Sequence, residues 1–513
     1  MLVKTFGSAV YGIEAITITV EVNISGGNIY YMIVGLPDKA VSESWQRIES
    51  ALTTNDLRMP RQRIIVNMAP ADIKKEGSSY DLTIATAILA ASSQIDTEEL
   101  GNYLIMGELS LDGSLKPIKG ALSIAIQARK DGYKGFILPK QNAREAAIVN
   151  DLEVYGVENI KEVAGFFNGD LKLQREIVNT REEFYNSLCN YDSDFSEVKG
   201  QENIKRALEI AAAGGHNVIL IGPPGAGKTM LARRLPSILP PLSLYESLET
   251  TKIHSVAGKL AAADALVTVR PFRSPHHTIS DVALVGGGGN PQPGEISLAH
   301  NGVLFLDELP EFKRSALEVM RQPLEERKVT ISRAKFTVDY PSNFMLVASM
   351  NPCPCGYYNH PEKECICPPG MVQKYLSKIS GPLLDRIDLH VEVTPVNFSE
   401  LASDRLAEPS ENIRERVIKA REVQIERFGD KPHLHANAQM SPQMVRDLCK
   451  ITEAGQTLLK KAMEKLGLSA RAYDRILKVS RTIADLAGSE EILIEHLAEA
   501  IQFRSLDREG WAG

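Results

Sequence analysis

One segment of the chain has the residue types and spacing of a phosphate-binding loop. It reads Gly222, Pro223, Pro224, Gly225, Ala226, Gly227, Lys228 and Thr229. The segment lies between a short apolar run and a helix-like stretch, which is the context that this motif requires. Its glycines let backbone N–H groups face phosphate oxygens, Lys228 can balance charge on the β- and γ-phosphates, and Thr229 can coordinate Mg²⁺. We therefore predict that ATP and Mg²⁺ bind here.

Two carboxylates follow an apolar run farther along the chain. Residues 303–306 predict a buried strand that ends at Asp307 and Glu308. Asp307 can hold the Mg²⁺ shell, and Glu308 can polarise an attacking water as a general base. An acidic pair at a strand end is also typical of surface capping, but downstream of a phosphate-binding loop it is the expected partner for hydrolysis.

Asn351 follows a further apolar strand, predicted at residues 344–349. Its amide could reach the γ-phosphate or the attacking water. An asparagine that begins the turn before Pro352 is the alternative.

The chain that must position these groups has 513 residues, which suggests about three folding units. Alternating and helix-like stretches predict an α+β domain over residues 1–175, followed by a linker at 176–197. Residues 198–395 are predicted to form an α/β core with a parallel sheet, and 396–513 a helical lid. The lid helices are predicted at residues 412–428, 442–448, 453–466, 470–486 and 492–503.

Composition excludes several classes of protein. A hydrophobic content of 43% and a charged content of 24% are typical of a globular protein, not of a disordered or fibrous one. The net charge of −7 gives no overall attraction to nucleic acid, although locally clustered lysines and arginines would suffice for a DNA-binding pore. No apolar run approaches the roughly 20 residues of a membrane span, and the N-terminus lacks the pattern of a signal peptide. We expect a cytoplasmic protein without a membrane partner.

Four cysteines crowd into one polar stretch as two C-x-C pairs. They are Cys353, Cys355, Cys365 and Cys367. Four thiolates can hold one tetrahedral zinc, which would pin the loop and leave no open position for catalysis. Free thiols are the alternative, since C-x-C is less specific than the C-x₂-C knuckle.

With these motifs the chain resembles the AAA+ superfamily of ATPases, and residues 198–201 are similar to its adenine-side segment, which implies a nucleotide contact for Gln201. More narrowly, it resembles the ComM/YifB family of magnesium-chelatase-like AAA+ ATPases. Residues 70–77, 270–277, 381–388 and 468–475 carry this narrower resemblance.

The resemblance implies a hexameric ring in which an arginine of the neighbouring subunit completes the ATP site. Arg386 matches this arginine, whose planar guanidinium can stabilise charge on the transferred phosphoryl group. A salt bridge to an adjacent aspartate, Asp385 or Asp388, is the alternative. Arg471 matches the lid arginine that senses nucleotide.

Two other lid arginines, Arg475 and Arg481, are rivals for the sensing role.

A basic hairpin is predicted where residues 329–339 alternate on both sides of Arg333 and Lys335. The resemblance implies that this hairpin projects into the ring channel and grips DNA phosphates, and that residues 270–298 form an insertion facing the pore. A solvated turn is the alternative for the two basic residues. His276 and His277 could ligate a metal, but adjacent histidines in a proline-containing loop are more typical of turn or interface residues.

The resemblance implies a DNA helicase or translocase that promotes branch migration in DNA uptake and recombination during natural transformation. DNA and recombination or competence proteins would be its partners. A magnesium-chelatase-like remodeller of a protein or metal-insertion complex is the second hypothesis.

An ATP-dependent protease is the third hypothesis, because residues 1–170 are similar to the proteolytic domain of Lon proteases. Ser79 can take the nucleophile's place, but the position of the lysine base falls on Leu122, which cannot accept a proton. Lys119 lies nearby in sequence. We therefore expect a non-proteolytic relative of that domain.

Overall fold

The computed structural model describes residues 1–186, 191, 193–261, 264–289, 291–333, 336–358, 360, 362–368, 370–395, 407–429, 431 and 434–504, with only the backbone of Arg333 and Phe336. It is a mixed α/β structure whose described elements comprise an N-terminal mixed sheet, a parallel sheet and a C-terminal helical region. The fold class predicted from the sequence is confirmed.

The N-terminal region is built on a mixed sheet with the strand order β10-β9-β8-β5-β1-β2-β4-β3. The strands are β1 (Leu2–Tyr11), β2 (Glu14–Ser25), β3 (Tyr30–Val34), β4 (Arg63–Ala69), β5 (Tyr103–Ile105), β8 (Gly135–Pro139), β9 (Glu153–Val157) and β10 (Arg175–Glu176), while β6 (Glu108–Leu109) and β7 (Leu115–Lys116) pair separately. The helices are α1 (Lys39–Ser42), α2 (Ser44–Thr54), α3 (Asp81–Ala91), α4 (Ala121–Lys130), α5 (Lys140–Ala146) and α6 (Ile160–Phe167). Alternation of buried and exposed residues along β2 shows why its sequence pattern predicts a strand.

The segment predicted as a linker contains a short helix, α7 (Thr180–Asn186). Its Phe184 is buried and packs into the apolar core of the N-terminal region. The polar sequence around it gave no helical period, because one buried aromatic side chain in seven residues is too little for periodicity to detect. Residues 187–190 and 192 of the predicted linker lie outside the described residues.

The second sheet consists of parallel strands in the order β12-β15-β18-β11-β19. These are β11 (Val218–Ile221), β12 (Phe272–Arg273), β15 (Val303–Leu306), β18 (Met345–Met350) and β19 (Leu389–Glu392). The side chains of β11, β15 and β18 are buried throughout, which explains their continuous apolar sequences. Since parallel strands end at the same edge of a sheet, the residues after β11, β15 and β18 converge there.

Helices flank this sheet and connect its strands. They are α8 (Glu202–Gly214), α9 (Lys228–Arg234), α10 (Leu244–Ala257), α11 (Asp281–Val285), α12 (Glu295–Leu298), α13 (Arg314–Glu318), α14 (Arg321–Glu326), α15 (Met371–Leu376) and α16 (Gly381–Leu384). The predicted insertion contains a small antiparallel pair, β13 (Gly286–Gly287) and β14 (Gln292–Pro293). The predicted hairpin consists of β16 (Lys328–Arg333) and β17 (Phe336–Pro341).

The C-terminal region is helical, with α17 (Ser410–Phe428), α18 (Pro442–Leu448), α19 (Glu453–Leu466), α20 (Ala470–Leu486) and α21 (Ile494–Gln502). Helices α17 and α20 pack on α8, so the apolar core continues from the parallel sheet into this region. In the described parts of the chain, no helix is both long and apolar enough to cross a membrane.

Candidate nucleotide site

The phosphate-binding loop joins β11 to α9 and depends on its glycines. Gly225 and Gly227 have φ angles of 79° and 83°, a conformation that favours glycine over residues with a Cβ atom. A Cβ atom on Gly222 would lie 2.3 Å from the carbonyl oxygen of Val393. A Cβ atom on Gly225 would meet nothing within 4 Å, so the loop presents open backbone where phosphates would lie.

Lys228 lies at the centre of this loop. Its Nζ donates hydrogen bonds to the carbonyl oxygens of Gly222 at 2.6 Å and Pro223 at 2.9 Å, and to Oδ1 of Asn351 at 3.1 Å. Burial lowers the pKa of the Lys228 ammonium, although the nearby carboxylates of Asp307 and Glu308 act in the opposite direction. A buried cation held by neutral oxygens is well suited to accept phosphate oxygens as stronger partners.

The predicted Mg²⁺ ligands are adjacent. The hydroxyl of Thr229 donates to Oδ2 of Asp307 at 2.8 Å, and the hydroxyl of Ser349 donates to Oδ1 of the same carboxylate. Mg²⁺ prefers oxygen ligands of this kind, with waters and phosphates completing its shell. The two side chains therefore fit the ion that the sequence predicted.

Glu308 has an unusual backbone for a residue other than glycine, with φ 55° and ψ 51°. Its amide donates to Oδ1 of Asp307 at 3.1 Å, and its side chain is 55% exposed. Such left-handed conformations are frequent at functional sites. The turn holds the Asp307 carboxylate at the loop and leaves the Glu308 carboxylate accessible to water, which is the geometry a general base requires.

His277 is a neighbour of Glu308 that the sequence did not reveal. Its Nδ1 lies 3.5 Å from Oε2 of Glu308, and its ring lies 4.1 Å from that of His276 between centroids. Strand β12 pairs with β15, which brings the residues after both strands to the same sheet edge. No local sequence signal could predict this contact, because it depends on which strands are neighbours.

Gln201 contacts the phosphate-binding loop. Its Nε2 donates to the carbonyl oxygen of Ala226 at 3.0 Å, while its buried Oε1 has no hydrogen-bond partner among the residues that the structure describes. The described contact supports the loop, and the adenine-side role implied by resemblance stays a prediction.

Arg386 is directed into the protein. Its side chain is 8% exposed, its Nη1 donates to the carbonyl oxygen of Pro382 at 2.5 Å, and its Nη2 pairs with Glu325. The salt bridge that the sequence suggested was to Asp385 or Asp388, whereas the observed partner is Glu325. In this conformation the guanidinium is engaged within its own chain.

The three lid arginines differ sharply in environment. Arg471 is 64% exposed, with Nη1 3.6 Å from Asp385. Arg475 pairs with buried Asp388, and Nε of Arg481 donates to Asp485 at 3.0 Å. The two rivals thus hold structural ion pairs, which leaves Arg471 the most exposed of the three.

Replacing Arg475 by alanine is expected to destabilise the lid, because buried Asp388 would lose its arginine partner. Burial raises the pKa of the Asp388 carboxyl, but Arg475 and His216 outweigh this effect and hold the pKa well below its usual range. We expect a loss of about 3 kcal/mol in the free energy of unfolding, measured with urea. The matched variant Arg471→Ala should cost less than about 0.5 kcal/mol, since its ion pair is exposed. Equal losses in the two variants would contradict this assignment.

The four cysteines form a compact cluster next to Asn351. Their sulfur atoms all lie within 4.8 Å of one another, with separations of 3.3, 3.7 and 3.5 Å among Cys353, Cys355 and Cys365. A tetrahedral zinc with Zn–S bonds of about 2.3 Å needs sulfur atoms about 3.8 Å apart. The donor set and spacing therefore fit a zinc ion. Within the described residues, this is the one group of three or more histidine, cysteine or carboxylate side chains able to hold a metal.

The cysteine loop packs directly on the phosphate-binding loop. Gly356 has a φ of 85°, and a Cβ atom there would lie 2.5 Å from Cδ of Pro224. Asn351 is two residues before Cys353. The loop that carries the thiols thus also carries the amide that contacts Lys228.

The DNA-contact candidates are only partly described. Arg333 ends β16, and its side chain lies outside the described residues, as does the whole of Lys335.

Two residues of the protease hypothesis lie at the start of α4, with Leu122 inside the helix and Lys119 just before it. Leu122 is fully buried and its N–H donates to Glu145 at 3.0 Å. The side chain of Lys119 packs on Gly258 of the core, where a Cβ atom would lie 3.0 Å from its Cε. Leucine therefore occupies the base position within a packed interface.

Three family models match the chain. They describe magnesium chelatase subunit ChlI over residues 194–401, subunit ChlI of Mg-chelatase over 20–142 and the ChlI C-terminal region over 407–504. The parallel sheet, the phosphate-binding loop and the acidic strand end thus define a magnesium-chelatase-like AAA+ protein.

Full-length relatives narrow this class. The chain is 44% identical over 510 residues to the competence protein ComM of Haemophilus influenzae, covering 99% of this chain and 98% of that protein. It is 43% identical over 502 residues to the uncharacterized protein YifB of Escherichia coli, covering 98% and 96%. The chain belongs to the ComM/YifB family. The chain is also 34% identical over 161 residues to Lon protease 2 of Bacillus subtilis, and this match covers 28% of the chain and 27% of that protein.

Proposed function

We propose that this chain is the subunit of an ATP-hydrolysing ring motor that moves DNA. One observation supports ATP hydrolysis above all: the groups that this reaction needs converge at one sheet edge. They are Lys228, Thr229, Asp307, Glu308 and Asn351. Thr229 and Asp307 would hold Mg²⁺, which when bound would supply positive charge beside the phosphate oxygens.

In this mechanism Lys228 moves from the loop carbonyls to the β- and γ-phosphates of ATP. Glu308 accepts a proton from the attacking water, and Asn351 orients that water or the γ-phosphate. The water oxygen bonds to the γ-phosphorus as the bond to the β-phosphate oxygen breaks, giving ADP and inorganic phosphate. An arginine supplied by the neighbouring subunit would stabilise the developing charge, and Arg386 could do so only after leaving Glu325.

The DNA step is supported by similarity to a protein named for competence over nearly the whole of both chains. We propose a homo-hexamer that encircles DNA in the cytoplasm and drives branch migration during DNA uptake and recombination, alongside recombination or competence proteins. Arg333 and Lys335 would contact the phosphates from the hairpin tip.

We further propose that the four clustered cysteines hold a structural zinc ion. Four thiolates would complete its coordination, so the ion would stabilise the loop beside the nucleotide site without taking part in hydrolysis.

A magnesium-chelatase-like remodeller is the second candidate, favoured by the family models that match the chain. A remodeller would hydrolyse ATP in the same way, and it would respond to a protein or metal-insertion partner instead of DNA. The protease hypothesis is disfavoured because buried Leu122 stands at the base position.

The test of the DNA step is the ATPase rate with and without single-stranded and branched DNA. We expect stimulation in the natural protein and its loss in Arg333→Ala/Lys335→Ala, because two phosphate contacts per subunit disappear. Lys328→Ala is the matched control on the same hairpin, since Lys328 pairs with Asp339 at 2.8 Å. No stimulation by any DNA would favour the remodeller.

A further inference from the structure

The hairpin of β16 and β17 needs support from outside its own strands. The two strands form a sheet of their own, in register from Lys328 opposite Pro341 to Arg333 opposite Phe336. A two-stranded ribbon by itself is marginally stable in water. One face of it is buried, through Val329, Ile331, Val338 and Tyr340. The packing on that face therefore decides how firmly the tip is held.

Part of this packing comes from the N-terminal region. The end of β1 and the turn that follows it, residues 11–13, lie against β17. The hydroxyl of Tyr11 donates to the carbonyl oxygen of Thr337 at 3.4 Å. Ile13 packs against the apolar cluster that contains the buried face of the hairpin. Gly12 has a φ of 65°, and a Cβ atom there would lie 2.7 Å from Cγ1 of Val338. A residue with a Cβ atom at position 12 would have to displace the Val338 side chain and adopt a strained φ.

The turn is itself fixed on its other side. The hydroxyl of Ser123 in α4 donates to the carbonyl oxygen of Ile13 at 2.6 Å. Nearby, the amide of Gly120 donates to the carbonyl oxygen of Ser255 in α10 at 3.1 Å. Buried Glu145 accepts hydrogen bonds from both the Leu122 amide and the Ser255 hydroxyl. The segment at which Lon proteases would carry their base is here used to attach the N-terminal region to the ATPase core.

From these contacts we infer that the N-terminal region is a brace for the hairpin, with Tyr11, Gly12 and Ile13 as positioning residues that hold β17. None of these three residues contacts the nucleotide site, so the brace acts on the hairpin and takes no part in hydrolysis. It sets the position of β17, and with it β16, relative to the core. Its consequence for DNA rests on the proposed function, whereas its effect on the hairpin does not.

The experiment compares the full chain with Tyr11→Ala/Ile13→Ala, using hydrogen exchange and ATPase rates. We expect amides of β16 and β17 to exchange about fivefold faster or more, because the ribbon loses the packing of half-buried Ile13 and the hydrogen bond from the exposed Tyr11 hydroxyl. Amides of β11 and β18 and the ATPase rate without DNA should be unchanged, while DNA stimulation falls about fivefold or more. The control Ile16→Ala/Ile29→Ala removes exposed apolar side chains from the same region and should change neither readout.

Two outcomes would overturn the inference, and a third concerns the proposed function. Unchanged hairpin exchange in Tyr11→Ala/Ile13→Ala would show that the turn does not brace the hairpin. Faster exchange with full DNA stimulation would show that the brace does not serve DNA coupling. Absence of DNA stimulation in the natural protein would instead contradict the proposed function, and the exchange measurement would still decide on the brace.

Discussion

Glu308→Gln is expected to slow ATP hydrolysis by about 10²- to 10³-fold while ATP binding is retained, because general-base catalysis contributes gains of that order. Glutamine keeps the shape of the side chain but cannot accept the proton of the attacking water. Lys228 and Thr229 donate their hydrogen bonds to groups other than Glu308, so the phosphate-binding loop should remain intact. Single-turnover hydrolysis and equilibrium nucleotide binding measure the two effects separately.

Two further variants serve as controls for Glu308→Gln, one expected to lose activity and one expected to keep it. Lys228→Ala should lose both binding and hydrolysis, since it removes the buried cation of the loop. Glu311→Gln changes a nearby carboxylate that pairs with Lys378 at 3.2 Å, and it should retain nearly the natural rate. If Glu308→Gln retained more than about one tenth of the natural rate, the water-activating role assigned to it would be wrong.

Replacing Cys365 and Cys367 by serine is expected to abolish metal binding and to disturb the nucleotide site. Structural zinc contributes about 10–16 kcal/mol of apparent binding free energy in zinc-finger peptides. Without the ion, the loop that carries Asn351 and presses Gly356 against Pro224 would lose its main support. We expect one zinc ion per natural chain and none in the variant. The variant should also have a lower melting temperature and hydrolyse ATP about tenfold more slowly.

The matched control is Cys449→Ala, which removes a buried thiol from the lid and should leave the zinc content unchanged. Metal content is measured by elemental analysis of protein purified under reducing conditions. A natural chain without bound metal, or a cysteine variant that retains it, would contradict the zinc proposal. If the variant lost zinc but hydrolysed ATP at the natural rate, the metal would not be needed to support the nucleotide site.

Much of the fold follows from periodicity and local motifs in the sequence. The predicted helices at 453–466 and 470–486 coincide with α19 and α20, because their apolar positions recur with the helical period and Thr452 and Ser469 cap them. The continuous apolar runs predicted the strands β11, β15 and β18. A local motif also identified the phosphate-binding loop, since eight consecutive residues set its backbone conformation.

Tertiary structure decided what lies opposite each of these residues. Glu325 rather than an adjacent aspartate pairs with Arg386, His277 lies beside Glu308, and Tyr11 reaches the hairpin strand across more than three hundred residues. Such contacts join elements that are distant in the chain, and a local pattern contains no information about which elements become neighbours. The sequence by itself therefore determined the elements and the chemical groups of the nucleotide site. Only packing determined their partners, because side-chain partners follow from strand order and helix docking rather than from spacing along the chain.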